Sequence, residues 1–357
     1  MNEIQKQLDD MTISIKSREG ENMGIMNVKK DAFIIEGGGT MGVYAIGVLK
    51  FLLEDNEYVN LAGVDLFGGT SVGSFMATAL SLGCDKYDID RVPEILDISK
   101  LVDPGYKFLL SLSRFIFQGN YYSDVGRRGI AMQILEFKLE DVNEHLKLWN
   151  IEKNNILAQD LTFGHLRKLI EVYPGIYKHL LMNAVDLNRG VQIFMTTLEE
   201  IWDDIKIIDG ILASSAIPAT FKAVEMHYDF AKSKYVYDPS PDTKPVMLYD
   251  GGCSTNNPID YLLLNKNYNY NLWMIKFRIP TAYTSLSSTY SVLHQLFQYL
   301  IGGKNLVKDE LVENEYDISV INLNLTVGSI DIYTQEQIKL IYRNIYDKCK
   351  LGQIKFI

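Results

Sequence analysis

Cysteines are few in this sequence, basic residues are outnumbered by acidic ones, and long apolar runs are lacking, and each of these features excludes a class of protein. The three cysteines, Cys84, Cys253 and Cys349, are too few and too scattered for a disulfide framework or a zinc site, and they fit a reducing, intracellular setting. The net charge of -10 argues against a nucleic-acid-binding protein, because phosphate contacts need clustered Lys and Arg. No uninterrupted apolar run reaches about 18 residues, so the sequence predicts no transmembrane helix.

The first thirty positions also lack an apolar core segment, so residues 1–30 predict no secretory signal. They show no clear periodicity, and we expect a flexible leader or a surface-docked arm there. Hydrophobic residues make up 47% of the 357 residues and charged residues 22%, which is typical of a globular protein with a sizeable core. We expect one main domain over residues 31–260, with residues 261–357 as its C-terminal part.

From Ala32 onward, short apolar runs alternate with segments of helical spacing. The runs at 32–36 and 64–67 end in glycines and precede helical patterns at 43–53 and 72–82. This alternation predicts an α/β fold of three layers, with a mainly parallel sheet and helices on both faces. A largely helical insertion is expected from about 85 to 175. Later patterns predict strands at 180–187, 191–198, 246–250, 272–279 and 318–325, and helices at 207–212, at 285–300 and after a Thr334-x-x-Gln337 capping box.

The motif GTSVG lies where a predicted strand turns into a predicted helix. A serine between small residues at such a turn projects its hydroxyl out of the fold, and the helix N-terminus favours developing negative charge. The pattern therefore indicates a nucleophile. The alternative is a glycine-rich turn whose serine only caps the helix. The residues of this turn are Gly69, Thr70, Ser71, Val72 and Gly73.

The motif GGGTMG, at residues 37–42, also lies between a predicted strand and a predicted helix. Backbone without side chains lets a ligand oxygen approach N–H groups, as in an oxyanion hole. The spacing equally matches a dinucleotide-binding loop, with Glu54 and Asp55 as ribose contacts. Those two residues fall at the end of the predicted helix and not at a strand tip, so we prefer the oxyanion interpretation. Its candidate residues are Gly37, Gly38, Gly39 and Gly42.

The third motif is Asp250-Gly251-Gly252, at the end of the predicted strand 246–250. A carboxylate at the carboxyl end of a strand lies where ligands bind in open α/β folds. The alternative is a turn aspartate that hydrogen-bonds its own backbone. If it reaches Ser71, Asp250 is a candidate for the base that takes the hydroxyl proton.

In the chain order GGGTMG, GTSVG and DGG, the three motifs resemble the patatin-like phospholipase family. Four further segments resemble the same family: LTFGHL (161–166), NAVDLNRG (183–190), ASSAIPATF (213–221) and DGGCSTNNP (250–258). The resemblance runs from about Ala32 to about Pro258. It implies a patatin-like fold with residues 31–260 as the catalytic domain, and a lipid acyl hydrolase acting on phospholipid or neutral glycerolipid. Met41 departs from the family, which often has Arg or Lys there, and this affects rate and headgroup preference.

The resemblance also implies roles for single residues: Ser71 as nucleophile, Asp250 as general base, and the Gly38 and Gly39 amides as oxyanion donors. No metal or cofactor is expected. A triad would need a histidine after Asp250, a place that His294 alone fills, in a predicted amphipathic helix. The rival hypothesis is a non-catalytic nucleotide- or lipid-binding module that uses the loop 37–42.

Two other features bear on substrate access. Residues 106–117 are apolar around much of a helix, with Lys107 and Arg114 spaced along it. This segment is interpreted as a core helix or, alternatively, as a lid that dips into lipid. Peripheral membrane contact is expected, because the substrate implied is a lipid. Ser214 and Ser215 are interpreted as small residues that permit close packing near the site, not as second nucleophiles.

Overall fold

The computed structural model describes residues 2–16, 29–55, 58–96, 120–122, 124–265, 268–278, 316, 318–325 and 333–356. The segment 106–117, the predicted helix 285–300 and His294 lie outside these residues. Within them, the strands are β1 Thr12–Lys16, β2 Lys30–Ile35, β3 Leu66–Gly69, β4 Asn120–Tyr122, β5 His179–Asp186, β6 Val191–Thr196, β7 Ala219–Phe221, β8 Val224–Asp229, β9 Lys234–Val236, β10 Thr243–Asp250, β11 Tyr270–Arg278, β12 Ser319–Asn324 and β13 Ile354–Phe356. The helices are α1 Asn2–Asp10, α2 Gly42–Glu54, α3 Val72–Ser81, α4 Lys86–Ile95, α5 Val125–Glu136, α6 Leu139–Leu148, α7 Phe163–Val172, α8 Ile207–Ser214, α9 Ile259–Leu264 and α10 Gln335–Lys350.

The main sheet has the strand order β13-β1-β12-β11-β2-β3-β5-β10-β8-β9, and β6 also pairs with β5. The neighbouring strands from β12 to β5 run parallel to one another. Beyond them, β5 pairs antiparallel with β6 and β10, and β8 pairs antiparallel with β10 and β9. The predicted α/β class with a largely parallel central sheet is confirmed, and antiparallel pairs flank the parallel strands, with β1 on β12 at one side and β6, β10, β8 and β9 at the other.

The alternation of side chains along β2 divides the interior into two cores. Phe33 and Ile35 face the larger core, which also contains the apolar residues of α2, α3, α8 and α10. Ala32 and Ile34 face the smaller core, on which α9 packs. Because every second residue of a strand points to the same face, a fully apolar strand such as β2 must be covered on both sides.

Helix α2 is buried along almost its whole length, from Gly42 to Leu52. Helix α10 packs against it, and a Cβ on Gly47 would lie 2.8 Å from Ile345 and from the Tyr342 carbonyl oxygen. The absent side chain therefore permits close contact of the two helices. At the start of α10, Thr334 forms the predicted capping box with Gln337.

The predicted flexible leader is wrong for residues 2–16. They form α1 and β1, and β1 pairs antiparallel with β12 and parallel with β13. Ile13 and Ile15 are buried, and Lys348 donates a hydrogen bond to the Met11 carbonyl oxygen at 3.0 Å. The alternating apolar residues of this short strand become meaningful only beside its partner strands, which lie near the other end of the sequence.

Between 85 and 175, the described residues are mostly helical, as the sequence predicts, and contain α4, α5, α6 and α7. The short strand β4 pairs in parallel with β7 in a separate two-stranded ladder. None of the helices that the structure describes is long and apolar enough to cross a membrane.

Candidate active site

Strands β3 and β10 pair with the same edge of β5, run towards each other along it and end close together. Strand β3 pairs in parallel with the first half of β5, where Gly69 lies opposite Met182. Strand β10 pairs antiparallel with the second half, where Asp250 lies opposite Ala184. Because β6 occupies the other edge along both halves, β3 and β10 share one edge with only Asn183 between their ends. The topology therefore brings the GTSVG turn next to the DGG turn.

This arrangement corrects the reason why Asp250 is placed at the site. From the sequence, Asp250 is expected at the site because ligands bind at the carboxyl ends of strands in open α/β folds, and in a parallel sheet these ends share one edge. Strand β10 instead runs antiparallel to β5 and approaches the end of β3 from the opposite direction. The DGG turn is reached from the antiparallel flank of the sheet.

The turn from β3 into α3 holds Ser71 in a conformation that side chains rarely adopt, with φ 52° and ψ -123°. A Cβ on Gly73 would collide with the Ile35 carbonyl oxygen, and one on Gly69 would collide with the Gly73 backbone. Both neighbours must therefore be glycine. Ser71 occupies the N-cap position of α3, but its side chain makes no capping hydrogen bond. The geometry does not favour the capping alternative.

Asp250 is 2% exposed, and its carboxylate has two neighbours. Its Oδ1 accepts a hydrogen bond from the Gly252 amide at 2.8 Å, so it does bond its own turn. The Ser71 side chain interacts with the same carboxylate and favours its ionised form. Burial raises the pKa of Asp250 to about 6, although the Gly252 amide, the Ser71 hydroxyl and the Arg127 charge each oppose this rise. A carboxylate with this pKa is a stronger base than an exposed aspartate and is still ionised at neutral pH.

The loop 37–42 lies beside this pair, but only part of it is open. The Gly37 amide donates to the Asn256 carbonyl oxygen at 2.8 Å, and the Gly42 amide donates to the carbonyl oxygens of Gly39 and Thr40. These two amides are therefore not available to an oxyanion. Of the four candidate glycines, Gly38 and Gly39 remain as possible donors. For the amides of Gly38 and Gly39, no acceptor is found among the described residues.

The geometry of the loop explains its glycines. Gly39 has φ 55°, which favours glycine, and a Cβ on Gly38 would lie 2.5 Å from the Phe277 ring. A Cβ on Gly37 would lie 2.5 Å from the Asn256 side chain and 3.3 Å from Ser71 Cβ. Asn256 also donates from Nδ2 to the Gly37 carbonyl oxygen at 2.6 Å, which fixes the loop beside Ser71.

Asn183, between the two strand ends, connects the two halves of the site. Thr70 Oγ1 donates to Asn183 Oδ1 at 2.6 Å, and Asn183 Nδ2 donates to the Thr255 carbonyl oxygen at 3.0 Å. A Cβ on Gly251 would lie 2.5 Å from the Asn183 side chain. This fully buried amide therefore contacts the residue before Ser71 and the residue after Asp250. In the sequence, Asn183 is visible only as the first residue of the segment NAVDLNRG. That position alone does not predict a role in the site.

The segment ASSAIPATF also joins the two halves. The Ser71 amide points to the Ser214 carbonyl oxygen at 3.1 Å and to Ser214 Oγ at 3.0 Å. The Asp250 amide donates to the Ala216 carbonyl oxygen at 3.0 Å. Ser214 thus does more than permit close packing, because it accepts the backbone hydrogen bond of Ser71.

The side chains that a catalytic triad or a dinucleotide-binding loop would need lie away from this site. Of the described residues, no histidine is hydrogen-bonded to Ser71 or Asp250. The ring nitrogens bond to other groups, namely His145 to Tyr177, His165 to Glu152 and Thr162, His179 to Thr197 and His227 to the Tyr237 carbonyl oxygen. Glu54 lies at the far end of α2 from the glycine loop, 3.1 Å from both Lys50 and Lys350. Within the described part of the chain, no three His, Cys, Asp or Glu side chains gather as a metal site would require.

A strained serine at a strand-to-helix turn, an adjacent buried carboxylate and a glycine loop with open amides together define a candidate serine hydrolase site. A sequence model of the patatin-like phospholipase family matches residues 33–263. This match spans more than half of the chain, and the chain belongs to that family, which is one of lipid hydrolases.

Individual relatives span the chain almost completely. Over 335 residues it is 43% identical to the uncharacterized protein L620 of Acanthamoeba polyphaga mimivirus, a match that covers 92% of this chain and 90% of that protein. The fold of this chain is similar to that of VipD from Legionella pneumophila, with a TM-score of 0.49 and 18% identity. The match covers 96% of this chain and 70% of the VipD chain. For human GIVD cytosolic phospholipase A2, in complex with methyl gamma-linolenyl fluorophosphonate, the TM-score is 0.45 and the identity 10%, with 99% and 60% covered.

Proposed function

We propose that this chain is a lipid acyl hydrolase of the phospholipase A or lysophospholipase type, which cleaves carboxylic esters of glycerolipids through a Ser71–Asp250 dyad. The observation that supports this most is the position of the strained Ser71 beside Asp250: β3 and β10 end on the same edge of β5, and the buried Asp250 carboxylate, whose pKa is raised to about 6, interacts with the Ser71 side chain. Serine is a weak nucleophile until a neighbouring base takes its proton, and Asp250 is the base in contact with it. Peripheral contact with a membrane surface follows from the substrate.

The reaction would proceed in two steps. Ser71 Oγ attacks the ester carbonyl carbon while its proton passes to Asp250, and the oxyanion accepts hydrogen bonds from the Gly38 and Gly39 amides. When the intermediate collapses, the ester C–O bond breaks and the leaving alcohol takes the proton from Asp250. Water then attacks the acyl-enzyme and gives a proton to Asp250, after which the fatty acid leaves and Ser71 recovers its proton.

Activity-based labelling and lipid hydrolysis test the proposal together. The protein should react with a fluorophosphonate probe and release fatty acid from phosphatidylcholine vesicles or a triacylglycerol emulsion. Ser71→Ala should abolish both activities with the fold retained, and Asp250→Asn should reduce turnover nearly as much, because members of a catalytic unit fail together. Ser254→Ala serves as the control: this turn serine bonds to Gln192 and its loss should leave labelling intact.

Three outcomes would contradict the proposal. Substantial activity in purified Ser71→Ala would remove the mechanism. Collapse of turnover in a folded His294→Gln variant would replace the dyad by a triad, since a dyad gives that side chain no part in proton transfer. Absence of labelling together with tight binding of a dinucleotide would favour the rival binding module.

A further inference from the structure

Arg127, on α5 of the helical region, is a buried cation next to the site. It is 2% exposed, and its Nη1 donates to the Leu212 carbonyl oxygen at 2.8 Å and to Ser215 Oγ at 3.1 Å. Its Nη2 donates to the Lys222 carbonyl oxygen at 2.9 Å, and its guanidinium lies 4.6 Å from the centre of the Phe221 ring. One side chain therefore holds both ends of the segment 212–222.

This segment determines where the backbones of Ser71 and Asp250 lie. Ser214 accepts the hydrogen bond of the Ser71 amide, and Ala216, two residues later, accepts that of the Asp250 amide. The segment also contains Ala219 at φ 63°, a strained conformation for a residue other than glycine. A strained connection of this kind keeps its shape only when its surroundings hold it, and the hydrogen bonds from Arg127 are part of those surroundings.

The charge of Arg127 acts on the same carboxylate. Burial lowers the pKa of Arg127 to about 10, with Asp124 and Asp250 raising it and Arg128 lowering it, so the guanidinium is protonated at neutral pH. Its positive charge opposes the rise that burial causes in the pKa of Asp250. Its Nε is buried and has no hydrogen-bond partner among the described residues. The geometry thus combines a structural clamp with a fixed positive charge near the proposed base.

We propose that Arg127 is a positioning residue for the reaction: it clamps the segment 212–222, whose backbone accepts the hydrogen bonds of the Ser71 and Asp250 amides. This inference rests on the proposed function and adds the helical region to the catalytic unit. Arg127 does not stand in for the Arg or Lys that the family often has at the position of Met41. It acts on the segment beside Asp250 and not on the glycine loop 37–42. A buried arginine with a structural role alone would affect stability and leave the ionisation of Asp250 unchanged.

The test is the pH dependence of kcat with a soluble short-chain ester, measured with thermal unfolding for each variant. Arg127→Met removes both clamp and charge, so kcat should fall about 10- to 100-fold and its acid limb should move about one pH unit upward. Arg127→Lys keeps the charge and loses the forked geometry, so kcat should fall about tenfold while the acid limb stays in place. KM should change less than kcat in both variants.

Arg167→Met is the matched control. That arginine also makes several polar contacts, to Asp203 and Glu171, and its loss should leave both kcat and the acid limb unchanged. A folded Arg127→Met with an unmoved acid limb would overturn the charge role. Wild-type kcat in Arg127→Lys would overturn the clamp even if the Met variant does not fold. Activity remaining in Ser71→Ala in the same assay would instead refute the proposed function.

Discussion

The two strand ends that meet at the site are built in different ways. The end of β3 is shaped by backbone packed against backbone, since Gly69 and Gly73 leave no room for a methyl group. The end of β10 is held by polar side chains, with Asn183 on one side and the bonds of Asp250 on the other. One half is fixed by steric exclusion and the other by hydrogen bonds and charge.

This difference indicates how each half tolerates change. A steric constraint between backbones fails at the first added atom, because neither partner can move without displacing its strand or helix. A polar network loses its contacts one at a time and can be adjusted by a neighbouring charge. The nucleophile side should therefore be intolerant of any side chain, while the base side should respond in graded steps.

The largest effect should come from Gly73→Ala. Its Cβ would collide with the Ile35 carbonyl oxygen, so we expect a loss of at least about 3 kcal/mol in the free energy of unfolding and complete loss of fluorophosphonate labelling. Gly129→Ala is the control, because a Cβ there meets nothing within 4 Å and lies within α5. That change should stabilise the protein by about 0.5–1 kcal/mol. If the two variants were equally stable in urea unfolding, the end of β3 would not be held by steric exclusion.

The next effect concerns Asp250 and pH. Its pKa is about 6 in the folded chain and near 3.8 when unfolded, so its contribution to stability is present below pH 3.8 and is lost as the pH rises through 6. Asp250→Asn removes this cost, and unfolding at pH 8 should require about 3 kcal/mol more than in the wild type. Below pH 4 the two proteins should be equally stable.

Asp229→Asn should change the free energy of unfolding in the opposite direction. The Lys232 and Ala231 amides lower the pKa of Asp229, so its stabilising contribution is present above its unfolded pKa and is lost as the pH falls. This variant should be less stable than the wild type at pH 8. Destabilisation of both variants at that pH would mean that burial of Asp250 carries no ionisation cost.

The smallest effect should be that of Asn183→Leu. It leaves the Thr70 hydroxyl and the Thr255 carbonyl oxygen without their partner, so stability should fall by about 2 kcal/mol and kcat about 10- to 100-fold. Asn143→Leu removes a comparable buried amide whose hydrogen bonds, within the described part of the chain, go to the Ile156 backbone alone. It should cost similar stability with kcat unchanged. Equal kcat in the two variants would show that Asn183 does not position the dyad.

The contrast between the halves also explains which features could be predicted from the sequence. Steric constraints leave glycines at fixed positions, so the turns around Ser71 and the loop 37–42 are visible as motifs. The roles of Asn183, Asn256 and Arg127 depend on contacts between distant segments, and a lone amide or arginine carries no local pattern that would reveal them. The strand β1 was missed for the same reason, since five residues show too little periodicity without their neighbours.

The place of β1 in the sheet has a consequence for how the chain folds. This strand lies between β12 and β13, so its hydrogen bonds and the burial of Ile13 and Ile15 depend on residues that are synthesised long after it. Contacts of such long sequence separation form slowly, because a large loop must close before they give any stabilisation. During synthesis, the glycine turn around Ser71 can therefore pack long before this edge of the sheet is complete. Closure of the sheet edge around β1 should then be a late step of folding, far along the sheet from the proposed catalytic residues.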